Sequence, residues 1–140
     1  MIRKTTLIPN AEKMFMKFLD AKGVGYIRFS QTLDDFSKAL RSLKAKRPDF
    51  IVFSRNPILI EIKPYPYDKE VTLEIDEIEK LRQLELLTRL KTIIAFPADS
   101  QGIIWKSVNT LQVWAHGERK MRYQKLVLSV KKKELKQLFL

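Results

Sequence analysis

Pro48-Asp49-Phe50-Ile51-Val52-Phe53-Ser54-Arg55-Asn56-Pro57-Ile58-Leu59-Ile60-Glu61-Ile62-Lys63 is the stretch on which the reading of this chain turns. It holds two apolar runs, residues 49–54 and 58–63, joined by Ser54-Arg55-Asn56-Pro57, whose composition is that of a turn. That makes a β-hairpin. Both runs are apolar on both faces, so both strands are expected at the centre of a sheet with helices on each side. Pro64 and Pro66 stop the second strand. Three residues do not suit such a place: Asp49, Glu61 and Lys63. Burying a lone carboxylate costs several kcal/mol unless it is paired or bound to a cation. Side chains alternate along a strand, so Leu59, Glu61 and Lys63 share one face, and Asp49 opens the facing strand at the same end. An ordinary ion pair between neighbours would account for them singly. Together, two carboxylates and an ammonium at the ends of two paired strands suit a hard divalent cation and a charge-stabilising lysine.

Strand parity sets a condition on this site. A two-residue turn at Arg55-Asn56 pairs Asp49 with Ile62 and sends Asp49 and Glu61 to opposite faces. A three-residue turn, Arg55-Asn56-Pro57, pairs Asp49 with Lys63 and keeps all three on one face. An odd-length turn or a β-bulge is therefore predicted.

Working outward, Asn10 is placed to cap a helix running to about Lys22, with Met14, Phe15, Phe18 and Leu19 as its apolar stripe. Gly23 and Gly25 end it and lead into a strand, Tyr26-Ile27-Arg28-Phe29. Thr32 and Asp35 resemble a capping box for a second helix over 32–45, carried by Leu33, Phe36, Leu40 and Leu43, which Pro48 breaks. After the hairpin, a charged loop through Val71–Ile75 leads to a third helix. Asp76 is its expected cap, Glu79 completes the box, and Ile78, Leu81, Leu84 and Leu87 are its stripe. Strands are expected at 92–96, 102–106 and 111–114. A last helix is expected from Lys131 to Leu138-Phe139-Leu140. The sum is an α/β domain around a mixed β-sheet flanked by helices, with residues 1–140 as one domain.

The 140 residues carry 27 Lys and Arg against 16 Asp and Glu, a net charge of +11, which implies a polyanionic partner. The charge is uneven. Residues 1–47 carry a net +7, residues 48–116 a net −2, and the tail from 117 a net +6, so that tail reads as a basic C-terminal extension. One reading is solvated surface charge; the other is an acidic site inside a phosphate-binding rim. With no cysteine and one histidine, His116, thiolate zinc sites, cysteine nucleophiles and multi-histidine metal sites are excluded. His116 itself, in Ala-His-Gly-Glu, reads as a turn residue. No apolar run approaches membrane-spanning length, and Met1–Thr6 is not followed by a secretory apolar region, so a cytoplasmic protein without membrane contact is expected.

Pro48-Asp49, followed by Glu61-Ile62-Lys63 on the next strand, resembles the two halves of the PD-(D/E)XK nuclease motif. The closer resemblance, over about residues 10–106, is to archaeal-type Holliday-junction resolvases. Glu12 on an N-terminal helix, the motif hairpin, a strand-loop-helix over 71–90 with Glu77-Ile78-Glu79-Lys80-Leu81, and the strand 92–96 carry it. The resemblance implies a restriction-endonuclease-like fold and a Mg²⁺-dependent DNA endonuclease, with Mn²⁺ able to substitute. It implies Asp49, Glu61 and the Ile62 carbonyl as metal ligands, Glu12 as the acid completing the site, and Lys63 as the water-positioning group. Ser30 matches a serine near the family's substrate. Arg28, Lys46, Arg47, Lys131 and Lys132 are the expected DNA contacts. The helix at 32–45 is longer than the family's connection there. A homing, restriction-like or repair nuclease on the same fold, and a non-cleaving DNA-binding protein, stay open as alternatives. Cutting a four-way junction twice implies a homodimer, with Trp105, Trp114 and Leu138-Phe139-Leu140 as interface material.

Overall fold

The structure, a computed structural model, describes residues 8–29, 37–98, 102–111, 119–122 and 125–137. Ser30, Trp114, His116, the first part of the expected second helix and Leu138-Phe139-Leu140 lie outside the described residues.

Helix α1 (Asn10–Lys22) begins directly after Pro9, and no side chain caps it. Asn10 is thus its first helical residue and not its cap. Pro9 has φ −55° and ψ 145°, and its carbonyl accepts the Lys13 N–H at 3.1 Å, so the chain turns helical at once. Phe15 and Leu19 are fully buried. The helix ends at Gly23, whose φ of 67° is left-handed; its N–H bonds the Asp20 carbonyl and the next N–H reaches Leu19.

Strands β1 (Gly25–Arg28), β2 (Phe50–Phe53) and β3 (Pro57–Ile62) form an antiparallel meander, and between β1 and β2 lies a short helix, α2 (Lys38–Ser42). The helix carried through 45 in the sequence reading ends earlier: Lys44 has φ 57°, and Leu43 is 49% exposed instead of packed. Strand β4 (Glu70–Glu74) runs straight into α3 (Ile75–Thr88), followed by β5 (Thr92–Ala98) and β6 (Gly102–Ser107). The charged loop expected through Val71–Ile75 is instead a strand up to Glu74, in line with the strand the resemblance implied there, and Ile75 opens the helix. The expected Asp76–Glu79 capping box is absent, because the helix starts two residues earlier with Glu74 in the cap position. Asp76 instead stands in the first turn, where an acid complements the helix dipole, and pairs with Lys80 at 3.0 Å.

The C-terminal segment departs most from expectation. Strands β7 (Arg119–Arg122) and β8 (Lys125–Lys131) come first, and in place of the expected helix from Lys131 stand the end of β8, a 3₁₀ turn at Lys132–Glu134 and strand β9 (Lys136–Gln137). Strand β8 pairs with β4, joining Val71 to Val130 and Leu73 to Leu128, all buried. Those non-local apolar pairs outweigh the helical propensity of the lysine-rich run.

Two sheets result: β1-β2-β3-β5-β6-β9 and β4-β8-β7. In the larger sheet only β3 and β5 are parallel. Alternation on β5 divides the core. Ile93 and Ala95 join Phe15, Leu19, Phe50 and Ile60 under α1. Ile94 and Phe96 join Ile78, Leu81 and Leu128 beneath α3 and the small sheet. Each fully buried Phe, Leu or Ile contributes roughly 1.5–3 kcal/mol. A central sheet covered on both faces is the restriction-endonuclease-like architecture the sequence implied.

Candidate active site

The hairpin has the odd-length turn the sequence reading called for, at a place the sequence did not specify. Phe53 pairs with Pro57, so the turn is Ser54-Arg55-Asn56, three residues long but one position earlier than Arg55-Asn56-Pro57. Proline is tolerated as the first residue of a strand, which leaves Pro57 free to open β3. At the other end, Asp49 donates its N–H to the Ile60 carbonyl at 2.9 Å, although Ile60 is already the register partner of Phe50. Its own carbonyl accepts the Phe29 N–H at 2.9 Å from the opposite neighbour. A regular strand residue points both groups one way, so two residues of this strand stand against one: a β-bulge at Asp49.

The bulge puts the Asp49 side chain into the ladder. Its Oδ2 accepts the Ile62 N–H at 2.7 Å. Ile60 and Ile62 face α1, so Glu61 between them faces α3. There it is 2% exposed, and its Oε1 is buried without a hydrogen-bond partner. The other oxygen, Oε2, accepts from the Lys46 ammonium. Lys46 also reaches Glu77 Oε1, in the first turn of α3, and Lys63 at the end of β3 donates to that same oxygen. The result is a chain of alternating charge: Glu61, Lys46, Glu77, Lys63.

Burial raises the Glu61 carboxyl well above the usual range, and the neighbouring Glu77 and Asp49 carboxyls push the same way, against Lys46. Burial acts to raise Glu77 too, yet its contact with Glu61 and the hydrogen bonds from Lys46 and Lys63 draw it down to about 2. Glu12, on α1, is 5% exposed and bonded by Arg28 Nε at 3.0 Å. Burial first, then the charge of Asp49, raises its carboxyl, against the pull of Arg28. Asp49 is therefore the electrostatic neighbour of both Glu12 and Glu61.

These residues were tested against the divalent ion the resemblance implies. Among the described residues no three acidic or histidine side chains converge as a ready cage. A two-carboxylate site suits Mg²⁺, which ordinarily keeps waters and substrate phosphate as its remaining ligands. Asp49 and Glu61 are hard-oxygen donors, and the orphaned Glu61 Oε1 is an acceptor for which the protein supplies nothing. The donor set fits.

The structure thus brings Glu12, Asp49, Glu61 and Lys63 to one end of the central strands, with the Ile62 backbone between the last two. Arg28 and Lys46, expected on phosphate, are turned onto carboxylates. Arg47 is half-buried beside Lys46. Lys131 and Lys132 stand elsewhere, lining a separate cavity. Glu77 was missed as a site residue. Its signal was available: it stands four residues before Leu81 and seven before Leu84, on the stripe that α3 buries.

No family model matches the sequence, and no curated protein matches it either. Solved structures do. The Hjc Holliday junction resolvase of Archaeoglobus fulgidus, an archaeal hyperthermophile, superposes with a TM-score of 0.56 at 14% identity, covering 89% of this chain and 95% of that one. D212, a nuclease from a fusselovirus, gives a TM-score of 0.54 at 12% identity over 95% of this chain and 90% of its own. The chain has the restriction-endonuclease-like fold. In this fold the charged cluster lies at the carboxyl end of β3, one of its two parallel strands, which is where open α/β sheets bind ligands. No helix among the described residues is long and apolar enough to cross a membrane.

Proposed function

We propose that this chain is a metal-dependent DNA endonuclease of the PD-(D/E)XK type, acting as a resolvase on branched DNA. The observation that carries the reading is the buried Glu61 carboxylate, with one oxygen unpartnered, beside Asp49 on the bulged hairpin. Asp49 and Glu61, with the Ile62 carbonyl, would hold Mg²⁺ or Mn²⁺, and Glu12, whose carboxyl also feels the charge of Asp49, would complete the set. A divalent ion there supplies charge neutralisation on the phosphodiester and a more acidic attacking water. Lys63 presents its ammonium at the strand end, where it would orient an attacking water and stabilise developing charge. Glu77 positions Lys63 by accepting its hydrogen bond. Basic residues at both ends of the chain, Arg47, Lys131 and Lys132 among them, hold the phosphate backbone by counterion release.

Two incisions in a two-fold-symmetric junction call for two sites, so the resolvase reading carries a homodimer with it. Incubation with a labelled four-way junction and a matched duplex, with and without Mg²⁺, tests both levels. Junction cleavage only with metal supports the whole reading. Cleavage of duplex alone leaves a nuclease of another kind, and binding without cleavage under any metal overturns the enzyme. A species of about 16.5 kDa by light scattering, both free and on DNA, removes the dimer.

A further inference from the structure

A second feature lies outside the carboxylate cluster. Beyond Lys63 the chain runs Pro64-Tyr65-Pro66-Tyr67-Asp68-Lys69 into β4. Tyr67 is 89% exposed, a large ring left almost wholly in water. Tyr65 is partly buried against the α3-side core, and the two rings meet edge to face with centroids 6.1 Å apart. The Lys132 ammonium lies over the Tyr65 ring, 4.4 Å from its centroid. Tyr67 and Lys132, together with Lys69, Lys131 and Lys133, line an open cavity of about 630 Å³, with Tyr65 behind them.

The cleft is fixed by backbone bonds rather than by its side chains. Lys132 N–H donates to the Lys69 carbonyl at 2.7 Å, and Glu70 pairs with Lys131 where β4 and β8 begin their ladder. The two acids of the lining are Asp68 and Glu70, and Glu70 Oε2 accepts the Ser129 hydroxyl at 2.7 Å. Four ammonium groups against two carboxylates leave the lining positive. A rigid positive groove with a solvent-facing aromatic ring is the arrangement that takes single-stranded nucleic acid: lysines follow the phosphates, and the ring stacks on a base. A duplex cannot use the ring, because its base faces are already stacked.

We propose that this cleft binds an unpaired nucleic-acid strand, with Tyr67 as the base-stacking platform, Tyr65 as its support and Lys69, Lys131, Lys132 and Lys133 on the phosphates. Tyr67 is four residues from Lys63, at most about 14 Å along an extended chain. A strand held here therefore leaves the carboxylate cluster within a few nucleotides. The cleft's purpose rests on the nuclease reading, since it would select substrates with an unpaired arm. Its test does not.

Fluorescence anisotropy with labelled oligo(dT) and a blunt duplex hairpin, in EDTA, separates the two. Tyr67→Ala is expected to weaken oligo(dT) binding about 5- to 100-fold, the range of one lost base stack, while duplex affinity stays within about twofold. Tyr67→Phe keeps the platform and is expected to bind like wild type. A combined Lys131→Gln and Lys133→Gln variant is expected to lower both affinities and shallow the salt dependence on single strands by about 0.7 per lysine. Unchanged oligo(dT) binding by Tyr67→Ala, or an equal loss on both ligands, overturns the proposal. So does a wild-type protein that responds to inorganic phosphate as it does to oligo(dT), which would make the cleft a simple anion site. Because no cleavage is read, these outcomes stand apart from the fate of the nuclease assignment.

Discussion

Two clusters of charge lie on either side of the Pro64–Lys69 segment, and they are built in opposite ways. At the end of β3, every ammonium is already on a carboxylate: Lys46 on Glu61 and Glu77, Lys63 on Glu77, and nearby Arg28 on Glu12. In the cleft beside β4 and β8, four lysines stand against two acids, Lys69, Lys131 and Lys133 exposed and Lys132 laid over Tyr65. The first cluster is largely buried and its cations are all paired, so an incoming cation competes with Lys46 for Glu61. The second is open and unbalanced, so it attracts a polyanion without rearrangement. Desolvation makes the difference: burial exacts a pairing for each charge, whereas water tolerates the surplus.

The largest expected effect breaks the buried cluster. Asp49→Asn or Glu61→Gln should lower Mg²⁺-dependent cleavage at least about a hundredfold while DNA binding stays within about twofold, read by gel assay and anisotropy. Wild-type cutting by either variant would remove the metal-site assignment. Next comes Lys46→Met, which deletes the cation already seated on Glu61. Mn²⁺ should then bind about tenfold more tightly by calorimetry, and melting in EDTA should fall, because Glu61 and Glu77 lose their shared partner. Unchanged Mn²⁺ affinity would place the ion away from Glu61.

Acid sharpens the contrast. Glu77 is drawn from 4.5 down to about 2, so its ionised form adds stability above about pH 4.5, and that stability drains as the pH falls toward 2. Glu77→Gln should flatten the acid limb of the melting curve there. Glu61 has the opposite sign. Its raised carboxyl is a stability cost that grows as the pH rises above 4.5, so Glu61→Gln should melt higher than wild type at neutral pH. The same shift makes cation binding strengthen with rising pH. If Glu61→Gln melts lower instead, the carboxylate is a structural ion-pair member before anything else. The smallest effect belongs to the open cluster: Lys133→Gln alone should change duplex affinity by less than about threefold in moderate salt.

How much of this was legible in the sequence followed from how local each signal was. The hairpin and α1 were legible, because Phe50–Phe53, Ile58–Ile62 and the Phe15/Leu19 stripe each declare their surroundings within one element. The buried carboxylates Asp49 and Glu61 were legible for the same reason, as polar residues in apolar company, whereas Glu12 was singled out only by the family resemblance. Strand β4 could have been read: Val71, Leu73 and Ile75 alternate with Thr72 and Glu74, but the charged residues before it suggested a loop. Strand β8 could not be settled locally, since its partner lies nearly sixty residues earlier and a lysine-rich run favours helix in isolation. Lys46 was placed on DNA because sequence shows the charge and not its direction. Only the fold brings Glu77 over it.

The hydrogen bond from Ile62 N–H to Asp49 has a practical meaning for anyone wanting to trap this protein on its substrate. That side chain is both a proposed ligand and a rung of the sheet. Alanine at 49 would strand a buried amide proton and open the hairpin, so an inactive alanine variant would report misfolding as much as lost chemistry. Asparagine keeps a carbonyl oxygen in the same place and gives up only the negative charge. It is the substitution that should yield a silent but intact protein for crystallising a bound DNA.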